Sequence, residues 1–355
     1  MTDPTTLTLR YGALADYLTD ANAAIEAALP DYLPEGEPKA DLYDLARDYP
    51  GRGGKRFRPA LLLLSTALAG GDPARALPSA VALELFQNFA LVHDDIEDDS
   101  LMRRGRPALH REHGIPLALN AGDLLFGLVH EALHHNSTLL GPVLTLDVQA
   151  RFAQVFRRTF EGQAMDIGWV VHNHLPSREA FETMIRLKTG WYSGRGPCEI
   201  GALIGGADPE TVARLGDFGE RLGIGFQVRD DLLNLAPDSS GEAPAVLGGG
   251  YGKERGGDIA EGKRTLIVIE LLERLGPTDQ ERLRQVLITP PQATLPGDIA
   301  WVIAQAEQTG AMDAVEAHCR GLGQAAREAL APLPDSPQRA LLLALTDYLV
   351  QARQA

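Results

Sequence analysis

Apolar residues recur at spacings of three and four along most of the chain, and strict alternation of apolar with polar residues is rare. This spacing places apolar side chains on one face of an α-helix, whereas alternation is typical of β-strands. The pattern predicts helices over the ranges 14–28, 58–69, 79–101, 117–134, 148–171, 178–192, 211–235, 265–275, 280–287, 299–309, 311–331 and 336–352. We therefore expect an all-α fold, and we interpret residues 1–355 as a single large helical domain.

Breaks rich in glycine and proline separate the predicted helices. Residues 50–54, 70–73 and 205–209 combine Gly with Pro and, in two cases, Asp. Such residues end one helix and cap the next. The longest non-helical stretch, 237–257, is rich in Gly, Ser, Pro and Asp. Long loops of this kind are either functional lids or flexible surface insertions, and the sequence leaves both interpretations open.

The predicted helix 79–101 is apolar on nearly all sides as far as His93 and then becomes acidic. A helix that is apolar all round is buried in the middle of a bundle. Its acidic end carries five carboxylates, namely Asp94, Asp95, Glu97, Asp98 and Asp99. Because carboxylates near a core are costly unless cations neutralise them, this end predicts a cation site.

Three of these carboxylates form what we call the first acidic cluster: Asp94, Asp95 and Asp98. Asp94 and Asp98 are four residues apart and share one helical face, with Asp95 beside them. Carboxylates are good ligands for Mg²⁺, which takes one or two of them together with phosphate oxygens and water. On its own, this pattern is equally compatible with a solvated helix end.

A second acidic cluster repeats this spacing with Asp230, Asp231 and Asn234, again at the polar end of an apolar helix. Asn234 offers an amide oxygen but no charge. Two similar acidic faces suit Mg²⁺ ions that hold a diphosphate between them.

The chain as a whole is acidic, with a formal net charge of −15. This charge argues against a sequence-independent nucleic-acid binder, which needs a basic face. It also makes local basic clusters informative, such as residues 54–59 (GKRFRP) and 103–107 (RRGRP). Lys and Arg suit phosphate oxygens, although a single RRG is also compatible with a solvated face.

Cysteines and apolar runs indicate the compartment. Cys198 and Cys319 are far apart and form no CxxC pattern, which fits a reducing environment. The polar first ten residues resemble no signal peptide, and no run reaches the ~18 apolar residues of a spanning helix. We expect a cytoplasmic protein with no transmembrane segment.

Taken together, the motifs resemble those of the trans-type isoprenyl diphosphate synthases, the family of farnesyl and geranylgeranyl diphosphate synthases. The similarity covers about residues 53–266 and follows the family order of GGKRFRP, LVHDDIEDDSLMRRGRPALH, EGQAMD, KTG, GFQVRDDLLN and GKERGGDIAEGKRTL. It implies a helical bundle of the isoprenoid synthase type with a central active-site cavity, and a homodimer. It also implies a prenyltransferase that uses Mg²⁺, as three ions, to join isopentenyl diphosphate to allylic diphosphates of C5 to C15.

The resemblance assigns roles to individual residues. The Mg²⁺ ligands would be Asp94, Asp95, Asp98, Asp230 and Asp231. The allylic diphosphate would be held by Arg103, Lys188 and Lys253. The isopentenyl diphosphate pocket would be formed by Lys55, Arg58, Gln87 and Arg104. The site and the leaving diphosphate would be steadied by Gln163, Asp166, Thr189, Gln227 and Lys263. Among these, Lys188 and Gln227 are counted as catalytic together with the aspartates.

Product length is implied by residues one turn below Asp94. Phe89, with the small Ala90 beside it, resembles the pattern of enzymes that stop at C20 or C15. We favour geranylgeranyl diphosphate (C20), with farnesyl diphosphate (C15) as the alternative. Phe89 is also compatible with an ordinary core residue.

Departures and competing functions complete the prediction. Asn234 stands where many family members have a third Asp, and the long loop makes the placement of Lys253 less certain. For Arg195, the only partner that the sequence suggests is a local acid such as Glu199. A class I terpene cyclase would not need the isopentenyl pocket, and a regulatory subunit would typically lack one acidic cluster. An HD-type phosphohydrolase built on His93 lacks its histidine framework, and a scaffold protein has no reason to keep these charges together.

Overall fold

The fold, seen in a computed structural model that describes residues 4–236 and 255–352, consists of helices joined by short turns. The α-helices are α1 (Pro4–Ala28), α2 (Asp44–Gly51), α3 (Phe57–Leu68), α4 (Leu77–Glu97), α5 (Leu109–His113), α6 (Ile115–Leu140), α7 (Pro142–Val171), α8 (Arg178–Ile185), α9 (Gly196–Ile204), α10 (Pro209–Leu235), α11 (Gly257–Ala260), α12 (Leu266–Arg274), α13 (Pro277–Ile288), α14 (Pro296–Gln308), α15 (Ala311–Leu330) and α16 (Pro337–Asp347). Short π-helical segments cover Lys39–Tyr43, Arg186–Arg195 and Tyr348–Ala352, and 3-10 turns cover Leu29–Tyr32, Pro73–Ala76 and Pro291–Ala293. A hairpin of two-residue strands, β1 (Met102–Arg103) and β2 (Arg106–Pro107), follows α4. The all-α prediction is confirmed.

Every predicted helix overlaps an observed one, but the acidic helix is shorter than expected. The apolar pattern extended it to residue 101, whereas α4 ends at Glu97 and Asp98 takes the C-cap position. Asp99 then adopts the left-handed region, with φ of 53°. Asp tolerates this conformation better than most residues, and the chain turns there into the β1–β2 hairpin.

Among the described residues, four α-helices lie outside the predicted ranges, namely α2, α5, α9 and α11. Helix α2 was missed because Pro50 was interpreted as a break. Helix α2 runs through Pro50, which lies in its last turn. Helix α9 begins at Gly196 with Pro197 in its first turn, where the missing N–H of proline has no helical partner to lose. Proline therefore lies in the last turn of one helix and in the first turn of another.

Helix α4 lies in the middle of the bundle, as its apolar sequence predicted. It packs against α3 and α6, and every residue from Pro78 to Phe89 is buried. Helix α10 packs against the π-helical segment Arg186–Arg195. Gly194 and Gly219 allow this contact, because a Cβ at Gly194 would lie only 1.7 Å from the carbonyl oxygen of Gly219.

Arg195, at the end of the π-helical segment, is held by three acids. Its guanidinium donates to Glu199 at 2.8 Å, to Glu220 at 2.8 Å and to Asp217 at 2.5 Å. The suggested pairing with Glu199 is confirmed, and the charge lies against α9 and α10. This network fixes the segment that also carries Lys188 and Thr189.

Two further predictions concern the chain as a whole. Across residues 4–236 and 255–352, no helix combines the length and apolar character needed to cross a membrane. The predicted loop over 237–257 lies mostly outside the described residues, as does Lys253.

Candidate active site

A cavity of about 560 Å³ opens between α4, α7, the segment Arg186–Arg195 and α10. Most of the residues predicted to act together line it: Arg58, Gln87, Phe89, Ala90, Asp94, Arg103, Arg104, Gln163, Asp166, Lys188, Thr189, Gln227, Asp230, Asp231 and Lys263. Asp95, Asp98 and Lys55 are close in sequence to this lining without being part of it. The bundle thus brings together side chains that are far apart in sequence.

The carboxylates of the first acidic cluster lie close to two lysines. Asp94 lies 3.6 Å from the Lys188 ammonium, and Asp98 lies 3.0 Å from that of Lys263. Burial raises the pKa of Asp98 to about 6; Lys263 opposes this shift, and Asp94 adds to it. The cluster is therefore partly desolvated and is compensated by the chain's own cations.

Asp95 is not part of the cavity lining. It is 0% exposed, it forms a bidentate ion pair with Arg103, and it accepts a 2.5 Å hydrogen bond from the hydroxyl of Tyr49. Asp95 is about 100° from Asp94 around the helix, and its carboxylate is engaged by Arg103 and Tyr49. In this position it orients Arg103, and its role as a metal ligand stays a prediction.

Glu97 is a cavity residue that the sequence analysis did not assign. Its carboxylate accepts a hydrogen bond from Gln163, which also donates to Asp94 at 3.3 Å. Burial raises the pKa of Glu97, and Asp94 adds to the shift. Its position three residues after Asp94, on nearly the same helical face, was the available signal.

Lys188 is brought to the site by a close helix contact. Gly162 of α7 allows it, because a Cβ there would lie 2.2 Å from the Lys188 backbone nitrogen. The Lys188 ammonium donates to Asp166 at 2.6 Å. Burial opposes the charge of Lys188, but Asp166 and Asp94 outweigh it and raise its pKa, so the lysine stays cationic.

In the second acidic cluster, the buried Asp231 lies close to other carboxylates. Asp231 is 6% exposed and accepts a 3.0 Å hydrogen bond from the amide of Gln227. Burial raises the pKa of Asp231 to about 8, and Asp258 and Asp230 add to the shift. A carboxyl group with this pKa is largely neutral at pH 7 until a cation binds beside it.

Asn234 and Asp258 fasten the short helix α11 to α10. The Asn234 side-chain oxygen accepts a 3.2 Å hydrogen bond from the Asp258 backbone N–H. Asp258 lines the cavity, and its carboxylate lies 3.6 Å from Lys263. Asp258 is thus a further acidic residue of the site that sequence reasoning missed.

The predicted isopentenyl pocket lies beside the first cluster. Arg58 donates to the hydroxyls of Ser193 and Tyr192, each at 2.9 Å. Arg104 donates to the main-chain oxygen of Tyr49 at 2.8 Å. The side-chain oxygen of Gln87 is buried and has no hydrogen-bond partner among the described residues, so it is available to a ligand.

A buried glutamate compensates the arginines of this pocket. Glu84 is buried in α4, where Asn88 donates to its carboxylate at 3.2 Å and Arg56 lies 3.9 Å away. Burial raises the pKa of Glu84, while Arg56, Arg104 and Arg58 oppose the shift. The carboxylate lets three like charges gather in a small volume.

Aromatic rings close the apolar end of the cavity. The Phe89 ring centroid lies 4.9 Å from that of Phe126 and 5.9 Å from that of Phe160. Phe126 and Phe160 belong to α6 and α7, and sequence reasoning did not assign them. Phe89 and Phe160 both line the cavity, and together with Phe126 they form what we call the aromatic floor.

The donor set fits Mg²⁺. Among the described residues, no three His, Cys, Asp or Glu side chains converge closely enough to hold a metal ion by themselves. Mg²⁺ does not need such a cage, because it is typically bound by one or two carboxylates together with substrate phosphates and water. The buried Asp231, whose pKa is raised, lines the cavity, and Asp98, whose pKa is also raised, lies beside the lining residue Lys263.

This combination of an all-α bundle with two acidic helix ends above an apolar cavity defines a protein that handles an anionic, hydrocarbon-bearing substrate. The sequence profile described as polyprenyl synthetase matches residues 39–304. The chain belongs to this family.

Individual relatives match along almost the whole chain. A geranylgeranyl diphosphate synthase of Methanosarcina mazei is 34% identical over 95% of this chain and 97% of its own. A geranylfarnesyl diphosphate synthase of Natronomonas pharaonis is 32% identical over 96% of both chains. Among solved structures, the geranylgeranyl pyrophosphate synthetase of Pyrococcus horikoshii superposes with a TM-score of 0.85 at 33% identity, covering 96% of this chain and 99% of the other.

Proposed function

We propose that this chain is a Mg²⁺-dependent prenyltransferase that condenses isopentenyl diphosphate with an allylic diphosphate and releases geranylgeranyl diphosphate. The observation that carries the proposal is the cavity itself. Asp94 and Asp231 line it at its charged end, and Phe89 helps to close its apolar end.

The charged end divides into two diphosphate subsites. Arg103, Lys188 and Lys263 surround Asp94 and Asp98 and suit the allylic diphosphate. Lys253, which lies outside the described residues, is predicted to join them. Mg²⁺ ions bound by the two acidic clusters, three in number by family resemblance, would neutralise charge on the leaving diphosphate.

The second subsite would hold isopentenyl diphosphate. Arg58 and Arg104 provide cationic donors, and Gln87, whose side-chain NH2 group can donate to a phosphate oxygen, lies in the same lining. Lys55 lies in the turn before α3 and is predicted to reach the same diphosphate. A terpene cyclase has no second diphosphate to hold, so these residues favour condensation over cyclisation.

The reaction requires no side-chain nucleophile. The allylic C–O bond breaks and its electron pair leaves with the diphosphate, whose charge Lys188 and Arg103 stabilise. The double bond of isopentenyl diphosphate attacks the allylic cation, and the released diphosphate takes the proton. Thr189 and Gln227 line the cavity around the reacting carbons, and the buried apolar walls exclude water that would quench the cation.

Product length would be set by the distance from Asp94 to the aromatic floor. Phe89 lies five residues before Asp94 on the same helix, and Ala90 leaves room beside it. We favour C20, with C15 as the alternative.

A homodimer is the proposed assembly. Apolar side chains are exposed on α6 at Ile115 and Leu119 and on α7 at Leu146 and Phe160. Phe126 of α6 touches Phe160 of α7 with ring centroids 5.9 Å apart, so the two helices pack side by side there. Exposed apolar surface of this kind is typical of protein interfaces, and a second copy would cover it. We expect this assembly to act in the cytoplasm as a single-domain protein.

The test is incubation of the purified chain with Mg²⁺, isopentenyl diphosphate and a C5, C10 or C15 allylic diphosphate, followed by mass analysis of the products. We expect C20 from every starter and no product after Mg²⁺ is chelated. Absence of condensation with all three starters would refute the proposal.

A further inference from the structure

Helix α2, which the apolar pattern did not reveal, ends against the charged part of the cavity. Its Tyr49 is 1% exposed. The Tyr49 hydroxyl donates to Asp95 at 2.5 Å and accepts from the Leu109 backbone N–H at 3.0 Å. Both capacities of the hydroxyl are therefore used, and its direction is fixed.

The hydroxyl acts on the cavity through two further groups. Asp95 accepts the Tyr49 hydrogen bond on Oδ2 and binds the Arg103 guanidinium with both carboxylate oxygens. Arg103 lines the cavity and lies 4.0 Å from Asp94. Without Tyr49, the fully buried Asp95 would keep Arg103 as its only side-chain partner among the described residues.

The same residue also holds the neighbouring arginine. The Tyr49 carbonyl oxygen accepts a 2.8 Å hydrogen bond from Arg104. Arg104 has a left-handed φ of 52°, which costs energy for a residue with a side chain and needs support from its surroundings. Arg52, one turn further on, donates to the main-chain oxygens of Arg103 and Pro107 at 2.9 Å each.

The guanidinium of Arg103 stays protonated in this arrangement. Burial opposes its charge, but the hydrogen bond and the negative charge of Asp95 outweigh it and raise the pKa of the guanidinium. What varies with Tyr49 is therefore the direction of Arg103, since its protonation is fixed.

We propose that Tyr49 is a positioning residue for diphosphate: its hydroxyl aligns Asp95 so that Arg103 faces the allylic diphosphate, and its carbonyl aligns Arg104 for isopentenyl diphosphate. This inference rests on the proposed function and adds a residue that no motif of the sequence indicated. Because Tyr49→Phe removes the hydroxyl and keeps the main-chain carbonyl, that variant tests the alignment of Arg103 separately from that of Arg104.

The experiment compares Tyr49→Phe with wild type in full-length protein, measuring KM for each substrate separately. We expect KM for the allylic diphosphate to rise about tenfold, as for loss of a hydrogen bond to a charged group, and KM for isopentenyl diphosphate to stay within about twofold. Tyr17→Phe is the matched control, because its hydroxyl donates to the Ala60 carbonyl at 2.7 Å, away from the cavity lining. Equal rises in both KM values, or no difference from Tyr17→Phe, would overturn the proposal.

A double-mutant cycle and a binding measurement complete the test. In an Arg103→Ala background, Tyr49→Phe should have little further effect on the allylic KM, whereas additive losses would contradict action through Arg103. Calorimetry with inorganic pyrophosphate is independent of turnover. If wild type binds pyrophosphate but joins no substrates, the proposed function fails. A Kd for pyrophosphate that is tenfold higher in Tyr49→Phe than in Tyr17→Phe would still support the positioning role of Tyr49. Equal Kd values would exclude that role.

Discussion

The two acidic clusters have the same spacing in sequence but different surroundings. In the first, Asp94, Asp95 and Asp98 face Lys188, Arg103 and Lys263, respectively. In the second, Asp231 accepts a hydrogen bond from the neutral amide of Gln227, and a further carboxylate, Asp258, raises its pKa. The first cluster is therefore paired with cations of the chain itself, whereas the charged form of Asp231 is disfavoured until a cation binds beside it.

This difference has a consequence for substrate binding. A cluster that already carries its cations can receive an allylic diphosphate with few added charges. A buried carboxyl with a pKa of about 8 must lose a proton before it can bind Mg²⁺. We therefore expect the second cluster to respond more strongly to pH and metal concentration than the first.

The largest expected effect is a difference between Asp94 and Asp95, two neighbouring carboxylates of the first cluster with different partners. Asp94→Asn should lower kcat by about 10²–10³-fold, because Asp94 faces the leaving group. Asp95→Asn should act only through Arg103 and cost about tenfold in kcat/KM for the allylic substrate. Steady-state kinetics would measure both, with the exposed Asp20→Asn on α1 as the control that leaves the rate unchanged. Equal losses for Asp94 and Asp95 would remove the distinction between a facing and a positioning carboxylate.

The second effect concerns product length, which only the helix of the first cluster should control. Phe89→Ala should lengthen the main product by at least one C5 unit, because it opens the floor toward Phe126 and Phe160. Phe226 on α10 is the matched control, since it lies one turn before Asp230 but packs against Phe57 and near Arg58. Mass analysis should show an unchanged chain length for Phe226→Ala, and an unchanged length for Phe89→Ala would contradict the floor assignment.

The smallest effect is the pH dependence of stability from Asp231. Its folded pKa of about 8 exceeds the ordinary 3.8, so the folded state binds the extra proton. Its contribution is complete below the unfolded pKa and is lost as pH rises through the folded one. In metal-free protein, Tm should fall between pH 5 and 8.5 by roughly 2 to 4 °C more in wild type than in Asp231→Asn. Mg²⁺ with pyrophosphate should remove that difference at high pH, and parallel Tm curves without metal would contradict the shift.

Much of this architecture could be predicted from sequence, for reasons that lie in particular residues. The three-and-four spacing of apolar residues located the long helices, and the acidic residues that follow the apolar runs indicated the polar ends of α4 and α10. The direction of Asp95 could not be predicted, because it depends on Tyr49 of α2, a helix whose Pro50 was interpreted as a break. Asp258 escaped prediction for a similar reason, since a hydrogen bond to Asn234, 24 residues away, places it.

The central prediction is that both clusters bind metal ions on one diphosphate while Asp95 stays paired with Arg103 and ligates no metal ion. The most direct measurement is a crystal structure with Mn²⁺ and a non-ionisable allylic thiolodiphosphate, with the metals located by anomalous scattering. We predict ions about 2.0–2.2 Å from carboxylates of Asp94 and Asp98 and from Asp230 or Asp231, with Asp95 still bound to Arg103. An Asp95 carboxylate that ligates Mn²⁺, or a second cluster without an ion, would contradict the account.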